Sequence, residues 1–382
     1  MREVLQECEE AIYDLSFPTV TRWKEAHPGG KAIAYFPVYA PVEIIHACGM
    51  LPVGLHGAGD HLDIQYADAK FGSFICSIVK TMLELGLTDR LAPFDGILFS
   101  SICDSARNLA WVVKRNLPNT YVDFLHLPHN PVTEATVDFL GTEYRRLVDQ
   151  LVELGGRRPS DDDLRESLVL FNENRARTRR LYELRMAHPE RMRAADLYCL
   201  VRAGDVIPVE EHNAMLGAAL ESIEHTTGRV RDSIRVVVEG SFCEQPPIDL
   251  IKIVEEAGCY VVDDDFQLGR RWFSEDVPLD GDPLVALADS YVNRSVYSSV
   301  RHDFRRPRSQ GLVDKIRHNR ADAAILLIAK FCEPAYFDYV LFKQALETEG
   351  IPHLLVEFEE KMFTFERLRM EVETFVESLL FA

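Results

Sequence analysis

Long apolar runs are missing from this sequence of 382 residues. A membrane-spanning helix needs about 18 or more consecutive apolar residues, and no stretch approaches that length. The acidic opening MREVLQECEE also differs from a secretory signal, which has a basic start followed by an apolar segment. We therefore expect a cytoplasmic protein that has no membrane partner.

Positive charge is also scarce. Lys and Arg total 42 against 61 Asp and Glu, which gives a formal net charge of −19. Such a surface repels a phosphate backbone, so nucleic acid is not an expected partner. The exception is RHDFRRPR, residues 301–308, which is either a solvated loop or a basic patch for a phosphorylated small molecule or an acidic partner.

The common short metal and nucleotide motifs are absent. The chain has eight cysteines but no CxxC pair, which disfavours zinc ribbons, ferredoxin-type cluster loops and thioredoxin motifs. It also has no GxxxxGK[ST] sequence, so we do not expect this chain to hydrolyse a nucleotide. A metal site would have to be assembled from cysteines that lie far apart in the sequence.

Strand-like and helix-like segments alternate in both halves of the chain. This alternation predicts an α/β fold whose parallel sheets are covered by helices on both faces. Long helical patterns replace the alternation between about Thr133 and Arg231. We predict an N-terminal α/β domain at 1–155, a helical connecting section at 156–230 and a C-terminal α/β domain at 231–382.

The two halves resemble each other in sequence. YAPVEIIHACGMLPVGL and QPPIDLIKIVEEAGCYVV share a proline turn, an apolar helix, a glycine and a strand, and FDGILFSSICDSA and ADAAILLIAKFCEPA share a strand that ends near a cysteine. We expect two Rossmann-like or flavodoxin-like domains facing a cleft. Ligands of such sheets bind outside the carboxyl ends of the strands, where Cys103, Cys243 and Cys332 fall.

The eight cysteines divide into four core candidates and four site candidates. Asp104 follows Cys103 and starts a helix, whose positive end favours a thiolate, and Cys332 is placed in the same way. Cys76, inside a helix predicted at residues 69–86, is a weaker candidate. Core packing is the alternative for each of them. The core candidates are Cys8, Cys48, Cys199 and Cys259.

Glu43 and His46 form a second candidate site. They lie three residues apart in EIIH, on one face of a predicted helix, where they could act as a proton donor pair. The alternative is an ordinary polar helix surface.

Several segments together resemble the 2-hydroxyacyl-CoA dehydratase and benzoyl-CoA reductase family. They are YFPVYAPVEIIHACGMLPVGL, FICSIVK, SSICDSARNL, VDDDFQLGRRWF, AKFCEP and FTFERLRMEVETFVES, in this order along nearly the whole chain. PVYAPVEII and the FTFERLRMEVETF tail are most similar to the smaller cluster-bearing subunit of the ATP-dependent reductases. Phe365 and Glu366 replace a Gly-Gln pair that is usual in the dehydratases, which favours the reductases.

The resemblance implies a ligand set and a cofactor. It implies that Cys76, Cys103 and Cys332 hold one 4Fe-4S cluster, with one iron left open for substrate or water. Cys243 has no counterpart among the family's ligands.

The resemblance also implies an activity and partners. The activity is the ATP-dependent dearomatisation of benzoyl-CoA to a cyclohexadiene-carbonyl-CoA with low-potential electrons from ferredoxin. The partners are a homologous cluster-bearing subunit and a pair of activator subunits, which carry their own iron–sulfur cluster and hydrolyse the ATP. The alternatives are a subunit of a radical 2-hydroxyacyl-CoA dehydratase, or an electron-relay subunit whose cluster never touches substrate.

Overall fold

Two four-stranded parallel sheets surrounded by helices form the protein. The computed structural model describes residues 1–381 except 132, 134, 241, 297, 300, 302, 304 and 305, and only the backbone of residues 268 and 269. The predicted α/β class with two Rossmann-like units is confirmed.

The first sheet belongs to the N-terminal half. Its strands are β1 (Ala32–Phe36), β2 (Leu51–Gly54), β3 (Gly96–Ser100) and β4 (Tyr121–Leu125). They are arranged in the order β2-β1-β3-β4, and all neighbours are parallel. The central strands β1 and β3 are buried along their whole length, as expected for strands with helices on both faces.

The second sheet repeats this topology. Its strands are β5 (Ile234–Glu239), β6 (Cys259–Asp264), β7 (Ala323–Ala329) and β8 (His353–Phe358). Their order is β6-β5-β7-β8, again all parallel. Since the first, second, third and fourth strand of each half occupy the same places, the repeat seen in the sequence extends to the fold.

Helices cover the sheets and fill the middle of the chain. The N-terminal half contributes α1 (Arg2–Tyr13), α2 (Pro18–Ala26), α3 (Val42–Ala47), α4 (Ser77–Leu87) and α5 (Asp104–Asn116). The middle contributes α6 (Ala135–Glu153), α7 (Asp161–Ala187), α8 (Ala194–Ala203) and α9 (Val209–Glu224). The C-terminal half contributes α10 (Ile248–Glu256), α11 (Leu268–Arg271), α12 (Pro283–Asn293), α13 (Arg308–His318), α14 (Glu333–Thr348) and α15 (Glu366–Leu380).

The long helix α7 begins where its sequence indicates. Ser160 accepts a hydrogen bond from the N–H of Asp163 at 3.2 Å, and the Asp163 carboxylate accepts one from the N–H of Ser160 at 2.8 Å. This reciprocal pair is a capping box, which satisfies N–H groups that have no partner inside the helix.

The start of α4 differs from the sequence prediction. The apolar pattern predicts a helix over 69–86, but α4 begins at Ser77, and a separate 3₁₀ turn occupies Ala67–Lys70. The intervening segment contains Gly72, which weakens a helix, and Phe74, whose side chain is 81% exposed. Cys76 therefore precedes a helix instead of lying within one.

Each of the two large hydrophobic cores includes a helix from the other half of the chain. Helix α1 packs on α8 and belongs to the core beneath the second sheet, through Cys8 and Ile12. Helix α12, which the sequence did not indicate, packs on α6 and belongs to the core of the first sheet. The two halves thus exchange helices, and the domain boundaries near residues 155 and 230 stay predictions.

Candidate functional site at the carboxyl ends of the sheets

The eight cysteines separate into two groups by burial. Cys76, Cys103, Cys243 and Cys332 are partly exposed. The other four, which the sequence assigned to the core, are buried: Cys8, Cys48, Cys199 and Cys259. The partly exposed group is thus the same group that the sequence selected as site candidates.

Each of the three predicted ligands stands at the start of a helix. Cys76 is the residue before α4, Cys103 the residue before α5 and Cys332 the residue before α14. Backbone N–H groups in these first turns act to lower the pKa of the thiols, and they belong to Val79, Ser105, Ala106 and Ala335. N–H groups at the start of a helix stabilise negative charge on a nearby sulfur.

Cys103 and Cys332 occupy equivalent places in the two repeats. Cys103 lies three residues after β3 ends at Ser100, and Cys332 lies three residues after β7 ends at Ala329. Phe331, just before Cys332, adopts a left-handed φ of 66°. A bulky residue in that conformation costs about 1–3 kcal/mol, so surrounding contacts must hold this turn in place.

The four thiols lie close enough together to affect one another's charge. Cys103 and Cys332 raise the pKa of Cys76, Cys103 raises that of Cys332, and all three raise that of Cys243. A direct contact joins two of the segments, because the rings of Phe74 and Phe331 meet edge to face at a centroid distance of 5.9 Å. The structure thus brings together the cysteines that the sequence spaces far apart.

Two opposing effects act on the pKa of the Cys103 thiol. The N–H groups of Ser105 and Ala106 lower the pKa of its thiol, but burial is the larger effect and raises the pKa overall. Burial likewise raises the pKa of Cys332 to about 12. Without metal these thiols are protonated at neutral pH, and a bound metal must displace their protons.

Cys243 differs from the other three in its local structure. It lies in the loop after β5, whereas the next helix, α10, begins only at Ile248. Burial raises the pKa of its thiol well above the usual value, and the neighbouring cysteines add to that effect. It is near the site but is not at a helix start.

The described residues contain no ready-made site for a single metal ion. Among the described residues, no three His, Cys, Asp or Glu side chains converge in the way that ligands of one metal ion do. In a cubane cluster each thiolate binds a different iron, so its ligands stand farther apart than those of one ion. Three partly exposed thiols, one at each of three helix starts, are the type of donor that such a cluster binds.

Two buried carboxyl groups border the site, and the sequence analysis did not select them. Glu244 follows Cys243, and burial together with the neighbouring Glu360 raises its pKa to about 8. Glu360 follows β8, and burial raises its pKa too. A Glu directly after a candidate cysteine was the available signal for Glu244; Glu360 gave none.

Glu43 and His46 lie on α3, which packs against α7. Glu43 is buried and paired with Arg175. The His46 ring bonds Ser167 at 2.9 Å and Glu210 at 3.0 Å. These described contacts involve no cysteine, so they lend no support to a role in proton donation, which stays a prediction.

Two arginines of the segment 301–308 fit neither interpretation left open by the sequence, a solvated loop or a basic patch, whereas Arg306 is exposed. Arg301 is 1% exposed, and Arg308 pairs with Glu239 and Asp338 instead of facing solvent. The patch residues 302, 304 and 305 lie outside the described residues.

Two repeated parallel-sheet units, with cysteines from both halves packed against one core, define an α/β protein of the Rossmann-like class. The chain belongs to the family of the 2-hydroxyglutaryl-CoA dehydratase D-component, which matches residues 37–379. The resemblance inferred from the sequence motifs is confirmed.

Individual relatives agree with this assignment. The chain is 38% identical to a subunit of the benzoyl-CoA reductase of Thauera aromatica, over 99% of this chain and 98% of the relative. It is 30% identical to the beta subunit of lactoyl-CoA dehydratase of Anaerotignum propionicum, over 93% of each chain. It is 28% identical to the (R)-phenyllactyl-CoA dehydratase beta subunit of Clostridium sporogenes, over 92% of each. Its relatives thus include subunits of both acyl-CoA reductases and dehydratases.

Within the described part of the chain, no helix has both the length and the apolar character required to cross a bilayer.

Proposed function

We propose that this chain is the iron–sulfur subunit of an ATP-dependent reductase that dearomatises benzoyl-CoA to a cyclohexadiene-carbonyl-CoA. The observation that carries the proposal is the convergence of three helix-start cysteines, Cys76, Cys103 and Cys332, from both halves of the chain. The 38% identity over 99% of the chain to a benzoyl-CoA reductase subunit supports the choice of substrate.

The three thiolates would hold a 4Fe-4S cluster and leave one iron without a protein ligand. Such a cluster supplies low-potential electrons and an open coordination position. The helix-start N–H groups stabilise negative charge on the sulfurs. Cys103 and Cys332 lie in turns that follow the apolar strands β3 and β7. These strands are buried along their whole length and help to exclude water.

The electrons and the energy come from other proteins. Ferredoxin would supply the electrons, and a pair of activator subunits with their own iron–sulfur cluster would couple ATP hydrolysis to their transfer. A homologous cluster-bearing subunit would complete the catalytic unit. Because the sequence has no phosphate-binding glycine motif, ATP is bound by the partners and not by this chain. This assembly belongs in the cytoplasm, where thiols stay reduced.

A dehydratase subunit is the second candidate. It is favoured by relatives whose names describe lactoyl-CoA and (R)-phenyllactyl-CoA dehydratases, at 30% and 28% identity. One feature of the tail counts against the dehydratase. Phe365 precedes α15 and Glu366 is its first residue, where the dehydratases usually carry a Gly-Gln pair.

The test is an anaerobic assay of the complex with its activator, ferredoxin and ATP. Benzoyl-CoA should be reduced to a diene, while a 2-hydroxyacyl-CoA should not lose water. Dehydration of the hydroxyacyl substrate without ring reduction would replace the reductase with the dehydratase. Failure of both reactions, in a complex that still contains iron, would favour an electron-relay subunit.

A matched pair of variants tests the site in the same assay. C332S should abolish ring reduction because it removes a cluster ligand. C199S, which changes a buried cysteine outside the site, should retain it. Equal activity in the two variants would contradict the assignment of Cys332.

A further inference from the structure

The halves of the chain are joined beside the cysteines by two buried carboxyl groups. Glu244 lies in the loop after β5 and is 3% exposed, and Glu360 lies in the loop after β8 and is 6% exposed. Both loops belong to the second sheet, yet both side chains make hydrogen bonds to the first half. Burying a carboxyl group is costly unless its oxygens are satisfied, so these contacts are specific features of the interface.

Glu360 fills the glycine loop that follows β2. Its carboxylate accepts hydrogen bonds from the N–H of Gly59 at 2.8 Å and from the hydroxyl of Thr81 at 2.9 Å. Gly57 has a φ of +84°, and a Cβ there would lie 1.8 Å from a carboxylate oxygen of Glu360. This glycine loop, GLHGAG at residues 54–59, therefore receives a carboxylate of the same chain at Gly57 and Gly59.

Glu244 accepts hydrogen bonds from both halves of the chain. One of its oxygens accepts the N–H of Glu360 at 2.9 Å. The other accepts the N–H of Ile78 at 3.4 Å, in the first turn of α4. The two glutamates thus reach α4 at two points, Ile78 and Thr81, and α4 is the helix that starts immediately after Cys76.

We propose that Glu244 and Glu360 are positioning residues, which fix Cys76 of the first half against Cys332 of the second. Cys103 lies three residues after the end of the central strand β3, and Cys332 lies three residues after the end of β7. Cys76 has no such support, because the exposed segment with Gly72 and Phe74 precedes it. The carboxyl pair supplies that support from across the interface.

This inference rests on the proposed cluster, but its first test does not need iron. In metal-free protein, the rates at which an alkylating reagent modifies Cys76, Cys103 and Cys332 are measured by peptide mass spectrometry. E360A should accelerate modification of Cys76 by about tenfold or more, through local opening of α4, and leave the other two rates unchanged. Faster modification of all three would indicate general unfolding and would overturn the proposal, as would an unchanged rate at Cys76.

Two variants distinguish positioning from a general loss of stability. E360Q keeps the shape and one acceptor oxygen, so it should restore slow modification of Cys76. E84A removes another buried carboxylate of α4, which accepts the N–H groups of Tyr66 at 2.9 Å and Ala67 at 2.8 Å, both in the first half. E84A should lower stability without selective exposure of Cys76. If E84A exposed Cys76 as strongly as E360A, the cross-interface role would be wrong.

The second readout is the cluster itself. After anaerobic reconstitution, E360A and E244A should bind less iron than the wild type, and the cluster that remains should show altered electron paramagnetic resonance. Wild-type protein that binds no iron would defeat the proposed function, whereas a normal cluster in both variants would defeat only the positioning role.

Discussion

Cys76, Cys103 and Cys332 each stand immediately before a helix, and at least one backbone N–H group of that helix acts to lower the pKa of the thiol. Individually each of them resembles a half-buried core cysteine. Together they form a set of thiols that have the right surroundings to carry the negative charge of a bound cluster. Cys243 lies beside them but lacks a helix start.

Serine substitutions at two neighbouring thiols should therefore have different effects. C103S should lose most of its iron after anaerobic reconstitution, because one cluster ligand is gone. C243S should retain full iron content and activity. Loss of iron in C243S together with retention in C103S would mean that the wrong three cysteines were chosen.

His212 provides a pH-dependent prediction away from the site. Its Nδ1 accepts a hydrogen bond from Asn174 at 2.8 Å, and its Nε2 donates to the carbonyl of Leu200 at 2.8 Å. Burial, reinforced by the charge of Arg270, lowers the pKa of His212 from 6.5 to about 3. The folded chain therefore keeps this imidazole neutral where the unfolded chain protonates it.

The free energy of unfolding should consequently fall as the pH drops from 6.5 toward 3. Within that window the contribution of His212 has a slope of up to about 1.4 kcal/mol per pH unit. H212Q should be less stable at neutral pH but should show a shallower loss in acid, measured by urea unfolding. If the free energy of unfolding fell equally steeply with pH in both proteins, the prediction that His212 stays neutral in the folded chain would be wrong.

The elements that the sequence predicted best are those with a simple apolar pattern. The strand AAILLIA at β7 is buried throughout, and α7 starts after Ser160 and opens with three aspartates, a sequence pattern typical of a helix start. Prediction failed at α4, where an apolar pattern continues across Gly72, and at α12, which packs on the other half of the chain. At α4 the interruption is local, at Gly72 and the exposed Phe74, whereas at α12 a contact distant in the sequence decides the structure.

The site was predictable only in part for the same reason. Cysteines near strand ends can be recognised from the sequence, and the four candidates are indeed the partly exposed ones. The contact between Glu360 and Gly59 of the glycine loop joins residues that are 301 positions apart. No local sequence pattern predicts a contact between residues so far apart.

The turn after β5 gives a prediction at the level of a strand pair. Gly240 has a φ of +122°, and a Cβ there would lie 2.5 Å from the carbonyl oxygen of Leu327 on β7. G240A should lower the free energy of unfolding by about 2 kcal/mol or more, since the residue is strained and strands β5 and β7 must separate.

Gly311 is the matched control. It lies in α13 with open space around it, so G311A should raise the stability by up to about 1 kcal/mol through helix propensity. Both variants are compared with the wild type by denaturant unfolding. A G240A protein as stable as G311A would show that the turn tolerates a side chain.

The whole molecule is a duplicated sheet unit whose halves are tied together by exchanged helices and by buried carboxylates. Helix α1 packs into the core of the second sheet and α12 into that of the first, so neither half buries its core alone. The cysteines come from both halves. A cluster held by them would join the halves by covalent bonds, and cluster binding should therefore stabilise the fold.

The most direct test of this account is an anaerobic count of iron and acid-labile sulfide on the purified wild-type chain, with C76S, C103S and C332S measured beside it. We predict about four irons and four sulfides per wild-type chain and a clear loss in each variant. A wild-type chain that holds no iron after reconstitution, or variants that all keep the full amount, would contradict the central claim.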